Sequence, residues 1–226
     1  MIKKLLFVLS KKTFIKSILI TLILLMNSAA LFAFNEGERL FAINLAYGQL
    51  SPNSSHLPPT PGADDDWEHA TFDTSRSIMA GIEMNHFLFS ALAFNFAFNF
   101  EYNWNSVKFD DHNESINILY YTVPVGLRIY IKYFFVGGGF YYSYEKTHSV
   151  MKTNISGPSL KYHDLFGAFA DAGLIYTTDA DYSHYSLFVR YKRNINHALC
   201  AGDEALKNTK FGMFTINISF GLPLNE

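Results

Sequence analysis

From Leu92 to Asn105 the residues of one parity are Leu92, Phe94, Phe96, Phe98, Phe100, Tyr102 and Trp104, and those of the other are Ala93, Asn95, Ala97, Asn99, Glu101, Asn103 and Asn105. A helix would wind both sets around its axis, whereas a strand throws successive side chains to opposite faces. The stretch therefore reads as one long strand with an aromatic wall on one face and small or polar groups on the other. A soluble core explains the alternation but not the length, since globular strands usually run about 3 to 10 residues. Acyl chains against Phe94, Phe96, Phe98 and Phe100 explain both.

The same alternation recurs seven times. Its apolar parities run from Phe41 to Tyr47, Ile78 to Met84, Leu119 to Ile129, Val136 to Tyr144, Phe166 to Tyr176, Tyr185 to Tyr191 and Phe214 to Phe220. Eight segments are an even number, as bacterial outer-membrane barrels usually require. A backbone amide left unpaired in hydrocarbon costs several kcal/mol, so a chain that crosses with strands must close them into a cylinder. The expected fold is all-β, an eight-stranded antiparallel up-and-down transmembrane barrel. Long polar links (Gln49 to Asp73, Ser106 to Glu114, Lys146 to His163, Ile195 to Asn208) alternate with short ones near Asn85-His86, Ile131-Lys132 and Thr177 to Asp181. That asymmetry predicts four extracellular loops and tight periplasmic turns. Tyr102, Trp104, Tyr144, Tyr176 and Tyr191 fall near segment ends, where interfacial aromatics belong. Pro124 interrupts the pattern, because it removes a ladder donor and is expected only at an edge or a bulge.

The beginning of the chain carries an address. Met1 to Lys16 is lysine-rich, Ile18 to Met26 is apolar, and small residues follow at Asn27 to Ala33. This is the order of a secretory signal peptide. It assigns residues 1–33 to the signal, with cleavage after Ala30 or Ala33, and 34–226 to the barrel domain. The apolar core is shorter than the ~20 residues of a spanning helix. Export to the outer membrane of a Gram-negative-type bacterium follows, with outer-membrane lipid and the membrane's assembly machinery as partners and a surface ligand of unknown kind.

Charge and cysteine content narrow the field. All five basic residues before residue 17 belong to the signal, so 13 basic residues stand against 20 acidic ones in the remainder, a net of −7. Such a chain does not seek nucleic acid phosphates. Cys200 is the only cysteine, which leaves no intramolecular disulfide, zinc-type cysteine cluster or CxxC pair. No cofactor is expected.

The paired segments Tyr121-Thr122-Val123-Pro124-Val125-Gly126-Leu127-Arg128 and Phe135-Val136-Gly137-Gly138-Gly139-Phe140-Tyr141-Tyr142 resemble the outer-membrane protein β-barrel domain family, including its PorT-like members and small barrels of the OmpA and OmpX type. The last hairpin, from Leu187-Phe188-Val189-Arg190-Tyr191 to the strand Met213–Gly221, is similar to that family's ending. The likeness spans roughly Leu40 to Leu222. It implies an outer-membrane barrel with variable surface loops, a place for Pro124, and no shared catalytic residues. The family's assembly signal is a terminal strand ending in an aromatic, whereas Phe220 is followed here by six more residues.

Candidate chemistry is confined to a few places. Glu83, Glu101, Glu145 and Asp171 share the inward parity with Arg128, Arg190 and Lys192. Eight strands leave a bore that side chains fill, so these charges should pair. Counting from the turn at Thr177 to Asp181 sets Arg190 diagonal to Asp171, within reach, and places a looser pair, Glu83 with Arg128, near the periplasmic end. Six histidines (His56, His69, His112, His148, His163, His197) lie in the long links beside carboxylates, but without the fixed spacing of a metal site. His184-Tyr185-Ser186 resembles the His-x-Ser of lipid A deacylases, yet both residues take the inward parity, away from lipid. Gly137-Gly138-Gly139 has no following helix or Lys-Ser/Thr and so is no phosphate cradle; it serves lumen clearance or close strand packing. Expected, then, is a non-catalytic barrel serving envelope integrity, adhesion or ligand contact through its surface loops. The alternatives are a narrow pore for ions or small solutes and, further off, a lipid hydrolase.

Overall fold

The computed structural model describes residues 34–52, 71–108, 113–146, 150–151, 160–178, 183–196, 199–201, 204–205 and 211–223. Residues 1–33, read above as a signal peptide, lie outside the described residues, as do the histidines at 56, 69, 112, 148 and 197. Every regular element described is a strand: β1 Arg39–Pro52, β2 Thr71–Phe89, β3 Leu92–Lys108, β4 Asn113–Ile131, β5 Phe134–Glu145, β6 Val150–Met151, β7 Leu160–Tyr162, β8 Leu165–Thr177, β9 His184–Asn194, β10 Leu199–Ala201, β11 Glu204–Ala205 and β12 Phe211–Pro223.

Eight of these close into a barrel in the order β1-β12-β9-β8-β5-β4-β3-β2, each antiparallel to its neighbours. The ladder from Gln49 passes through Phe214, Tyr191, Ala170, Gly138, Leu127, Phe94 and His86 and returns to β1 at Arg39, ten residues below its start. A stagger of this size goes with strands tilted by about 35–45° to the barrel axis. Here "lower" denotes the end of the barrel with the turns Ser90-Ala91 and Lys132-Tyr133, and "upper" the end with the long links.

Within the barrel strands, over the side chains described, the apolar parity faces outward and the mostly small or polar parity inward. Phe94, Phe96 and Phe100 are exposed outward and Phe98 is half-buried against Phe100 and Tyr121, with ring centroids 5.3 and 6.0 Å away. Trp104 meets Tyr102 edge-on at 4.7 Å near the upper end, where Tyr144 and Tyr191 also face outward. Tyr133, Phe134, Tyr176 and Tyr185 form the corresponding outward set near the lower end.

Several details differ from the sequence reading. The first lower turn is Ser90-Ala91, not Asn85-His86: β2 continues to Phe89, with a register shift between Phe87 and Phe89. Asn85 looks like a turn residue but is a lumen residue that donates to Glu83 and accepts from Asn95. The second long link is short, since β3 runs to Lys108 and β4 begins at Asn113. The third and fourth links contain strands of their own, joined in a four-stranded sheet of order β11-β10-β7-β6. Pro124 sits in neither an edge strand nor a bulge. It pairs with Tyr141 of β5, while the β3–β4 ladder skips from Phe96↔Val125 to Asn99↔Thr122 without changing register. The missing donor is absorbed as a local gap.

The apolar core lies at the lower end, inside the cylinder. Phe34, Leu40, Phe87, Ala93, Tyr130, Phe135, Ile175 and Phe188 are buried together. Phe34 precedes β1 and turns back into the bore, stacked on Phe87 at 4.1 Å and tilted against His184 at 5.3 Å. The backbone holds it there, with Gly37 N–H donating to Phe87 O and Phe87 N–H to Glu38 O.

Candidate functional site: the barrel interior

Above this aromatic floor, four charges from four strands meet. Asp171 of β8 and Arg190 of β9 are direct cross-strand partners rather than diagonal neighbours. The diagonal placement took a five-residue turn from Thr177 to Asp181, whereas the ladder closes on Thr177↔His184 with six residues between them. Asp171 Oδ2 accepts from Arg190 Nη2 at 2.7 Å and Nε at 3.2 Å, and from Arg128 Nη2 at 2.9 Å and Nε at 3.3 Å. Arg128 of β4 also reaches Glu83 of β2 through both terminal nitrogens, Nη1 to Oε1 and Nη2 to Oε2, the latter at 3.1 Å. This pair is bidentate, not loose, and it is not a separate pair: Arg128 bridges Glu83 to Asp171, and Arg190 Nη2 lies 3.9 Å from Glu83 Oε2. Two carboxylates and two guanidinium groups form one electrically balanced, buried cluster.

Space for this cluster is set by sequence. A Cβ on Gly137, the β5 partner of both Arg128 and Asp171, would stand 2.4 Å from Asp171 Oδ1 and 2.6 Å from Arg128 Cγ. Gly139 has a different reason, because its Cβ would meet the Val125 carbonyl oxygen at 2.1 Å. The cations are further held by aromatic faces. Arg128 lies over Phe135 at 4.7 Å and Phe188 at 4.9 Å, and Arg190 over Phe169 at 4.5 Å. Such contacts strengthen when the cation is desolvated.

A second ion pair crosses the bore higher up. Lys192 Nζ of β9 donates to Glu101 Oε2 of β3, and these strands stand opposite one another in the barrel order. Thr122 Oγ1 donates to the same carboxylate at 3.0 Å, and Lys192 lies 5.3 Å from the Tyr141 ring. The sequence placed Glu101 and Lys192 inside but did not pair them, because the pairing depends on the closed stagger. Glu145, also inward, is buried at the upper end of β5.

Among the described residues, two cavities inside the bore are small. The cavity around Glu101, Lys192 and Asn194 admits water centres over about 20 Å³, and the one beside Glu83, Arg128 and His184 over about 10 Å³. Each is room for one or two waters. Buried amides on the β12, β1 and β3 walls, namely both polar atoms of Asn44 and Asn99 and Oδ1 of Asn217, have no protein partner among the described residues.

Other candidates fall apart geometrically or lie elsewhere. His184 Nδ1 is 2.8 Å from Thr177 Oγ1, whereas Ser186 Oγ bonds Ser219 Oγ across to β12, so each side chain is engaged with a different partner. Both are buried on the lumen side. Among the described residues no group of three or more His, Cys, Asp or Glu is disposed to hold a metal ion. Phe220 faces outward beside Tyr185, at 5.2 Å, and β12 continues past it to pair Pro223 with Leu40.

No family model matches the chain, and no curated protein matches it by sequence. Solved structures do match in fold. The outer membrane protein OprG from Pseudomonas aeruginosa superposes with a TM-score of 0.52 at 15% identity, covering 85% of this chain and 99% of that one. The outer membrane protein AlkL, solved in lipid bilayers, gives a TM-score of 0.54 at 13% identity over 86% of this chain and 93% of its own. The chain therefore has the closed eight-stranded antiparallel fold of small outer-membrane barrels.

Proposed function

We propose that this protein resides in the outer membrane as a non-catalytic barrel with a plugged bore, long links facing the cell exterior, and a role in envelope integrity or surface contact. The observation that carries this reading is the division of the two faces. Outward there is an apolar wall between aromatic ends; inward, among the described residues, an aromatic floor and two layers of paired charge leave two cavities with room for one or two waters each. The resemblance of the Tyr121–Arg128 and Phe135–Tyr142 strands supports placement among PorT-like barrels. Engagement of His184 with Thr177 and Ser186 with Ser219 supports a non-catalytic role over lipid hydrolysis.

The test is reconstitution of the refolded chain. A heat-modifiable shift on gels with no stepwise conductance in planar bilayers is the expected result; a chain soluble without detergent would overturn the membrane assignment. A narrow hydrated path is the second reading, favoured by the amide atoms of Asn44 and Asn99 and Oδ1 of Asn217, which lack a partner among the described residues. Reproducible single-channel steps that vanish on Asn99→Leu would establish it in place of the plug.

A further inference from the structure

The outer surface holds a feature that barrel closure does not require. Four residues in one ladder row, Gln49 of β1, Arg76 of β2, Trp104 of β3 and Asn117 of β4, are consecutive cross-strand partners on the outward face, and all four are exposed. Each carries an N–H donor. At about 4.8 Å between strands, the row is roughly 15 Å wide. Directly beneath lies the row Tyr47, Ile78, Tyr102 and Leu119, and beneath that Leu45, Ala80, Phe100 and Tyr121. The surface thus passes from donors to a mixed aromatic and aliphatic surface within one row. Between Tyr47, Arg76, Trp104 and Asn117 it is indented by a groove of about 590 Å³.

Charge points to the occupant. The strand acids whose side chains are described, Glu83, Glu101, Glu145 and Asp171, are all buried in the lumen, and no carboxylate among the described residues pairs with Arg76. A guanidinium on the outer face of a membrane barrel is most stable against an anion at headgroup depth, where it can form charge-assisted bonds to phosphate. The hydrocarbon rows below suit acyl chains of the same molecule, which a free phosphate lacks.

We propose that the Gln49–Arg76–Trp104–Asn117 row binds the phosphorylated headgroup of an acylated lipid, with Arg76 as the phosphate contact and the rows below receiving its chains. This rests on the outer-membrane reading above. The probes are lipid A, the same lipid A without its phosphates, and inorganic phosphate. They are offered to the full chain refolded into phosphatidylcholine nanodiscs, and retained lipid is counted by native mass spectrometry. Phosphorylated lipid A should be retained about tenfold more strongly than its dephosphorylated form, and Arg76→Gln should abolish that preference. Arg193→Gln, which removes a different exposed outward arginine on β9, should leave it within about twofold. Equal retention of both lipids, displacement by millimolar inorganic phosphate, or an unchanged preference in Arg76→Gln each overturns the site. In those cases the chain still enters discs and shifts on gels, so the barrel reading stands. A chain that enters no disc overturns both.

Discussion

Replacing Asp171 by Asn tests whether the buried cluster is held by charge balance. The carboxylate accepts four N–H contacts on Oδ2, two from each arginine. Its loss leaves two buried guanidinium groups facing Glu83 alone. Removing one partner from a buried ion pair costs about 3–5 kcal/mol, which is roughly a hundredfold to several thousandfold in the folding equilibrium. Denaturant unfolding in lipid vesicles, followed by tryptophan fluorescence and gel mobility, measures the loss. The double variant Asp171→Asn with Arg190→Met restores neutrality, since Arg128 and Glu83 remain paired. It should therefore cost less than the sum of the single variants, by about 0.5–3 kcal/mol. A single-variant loss below about 1 kcal/mol, or strict additivity in the double variant, refutes the idea that charge compensation holds the cluster.

Other perturbations read other parts of the structure. Gly137→Ala forces a methyl against Asp171 and Arg128, and denaturant midpoints should show a cost of about 1–3 kcal/mol. Phe34→Ala empties the aromatic floor, for a loss of about 3–5 kcal/mol. It should produce no conductance in bilayers, because the ion-pair layers above remain; open-channel currents would show that Phe34 alone seals the bore. Phe98→Arg, in the middle of the outward wall, should cost about 2–4 kcal/mol, whereas Phe214→Arg, in the row of Gln49, should cost about 0–1 kcal/mol. Equal costs in vesicle unfolding would contradict the assigned membrane depth.

The two faces of the barrel strands were largely legible in the sequence because an apolar outer wall and a narrow bore impose a period of two along most of their length. What lies across the bore was legible only in part. The inward parity paired Glu83 with Arg128 and Asp171 with Arg190, but it paired neither Arg128 with Asp171, across Gly137, nor Lys192 with Glu101 on the opposite wall. Inward aromatics were also hidden. Tyr130, Phe135, Tyr141, Phe169 and Phe188 belong to the residue class of the outer wall, and only the burial of their rings beside Arg128, Arg190 and Lys192 reveals their part. The turn at Ser90-Ala91 lacks Gly, Pro, Asn or Asp, so Asn85 drew the boundary five residues early.

The Lys192–Glu101 contact joins residues 91 positions apart and spans the bore rather than running along one wall. A tube of hydrogen-bonded strands resists stretching around its circumference but yields easily to flattening, and a strut across the diameter opposes that deformation. Neither hairpin that supplies its ends can form it alone. Its ends stand on opposite walls of the closed order, so it reports on the finished cylinder rather than on any one hairpin.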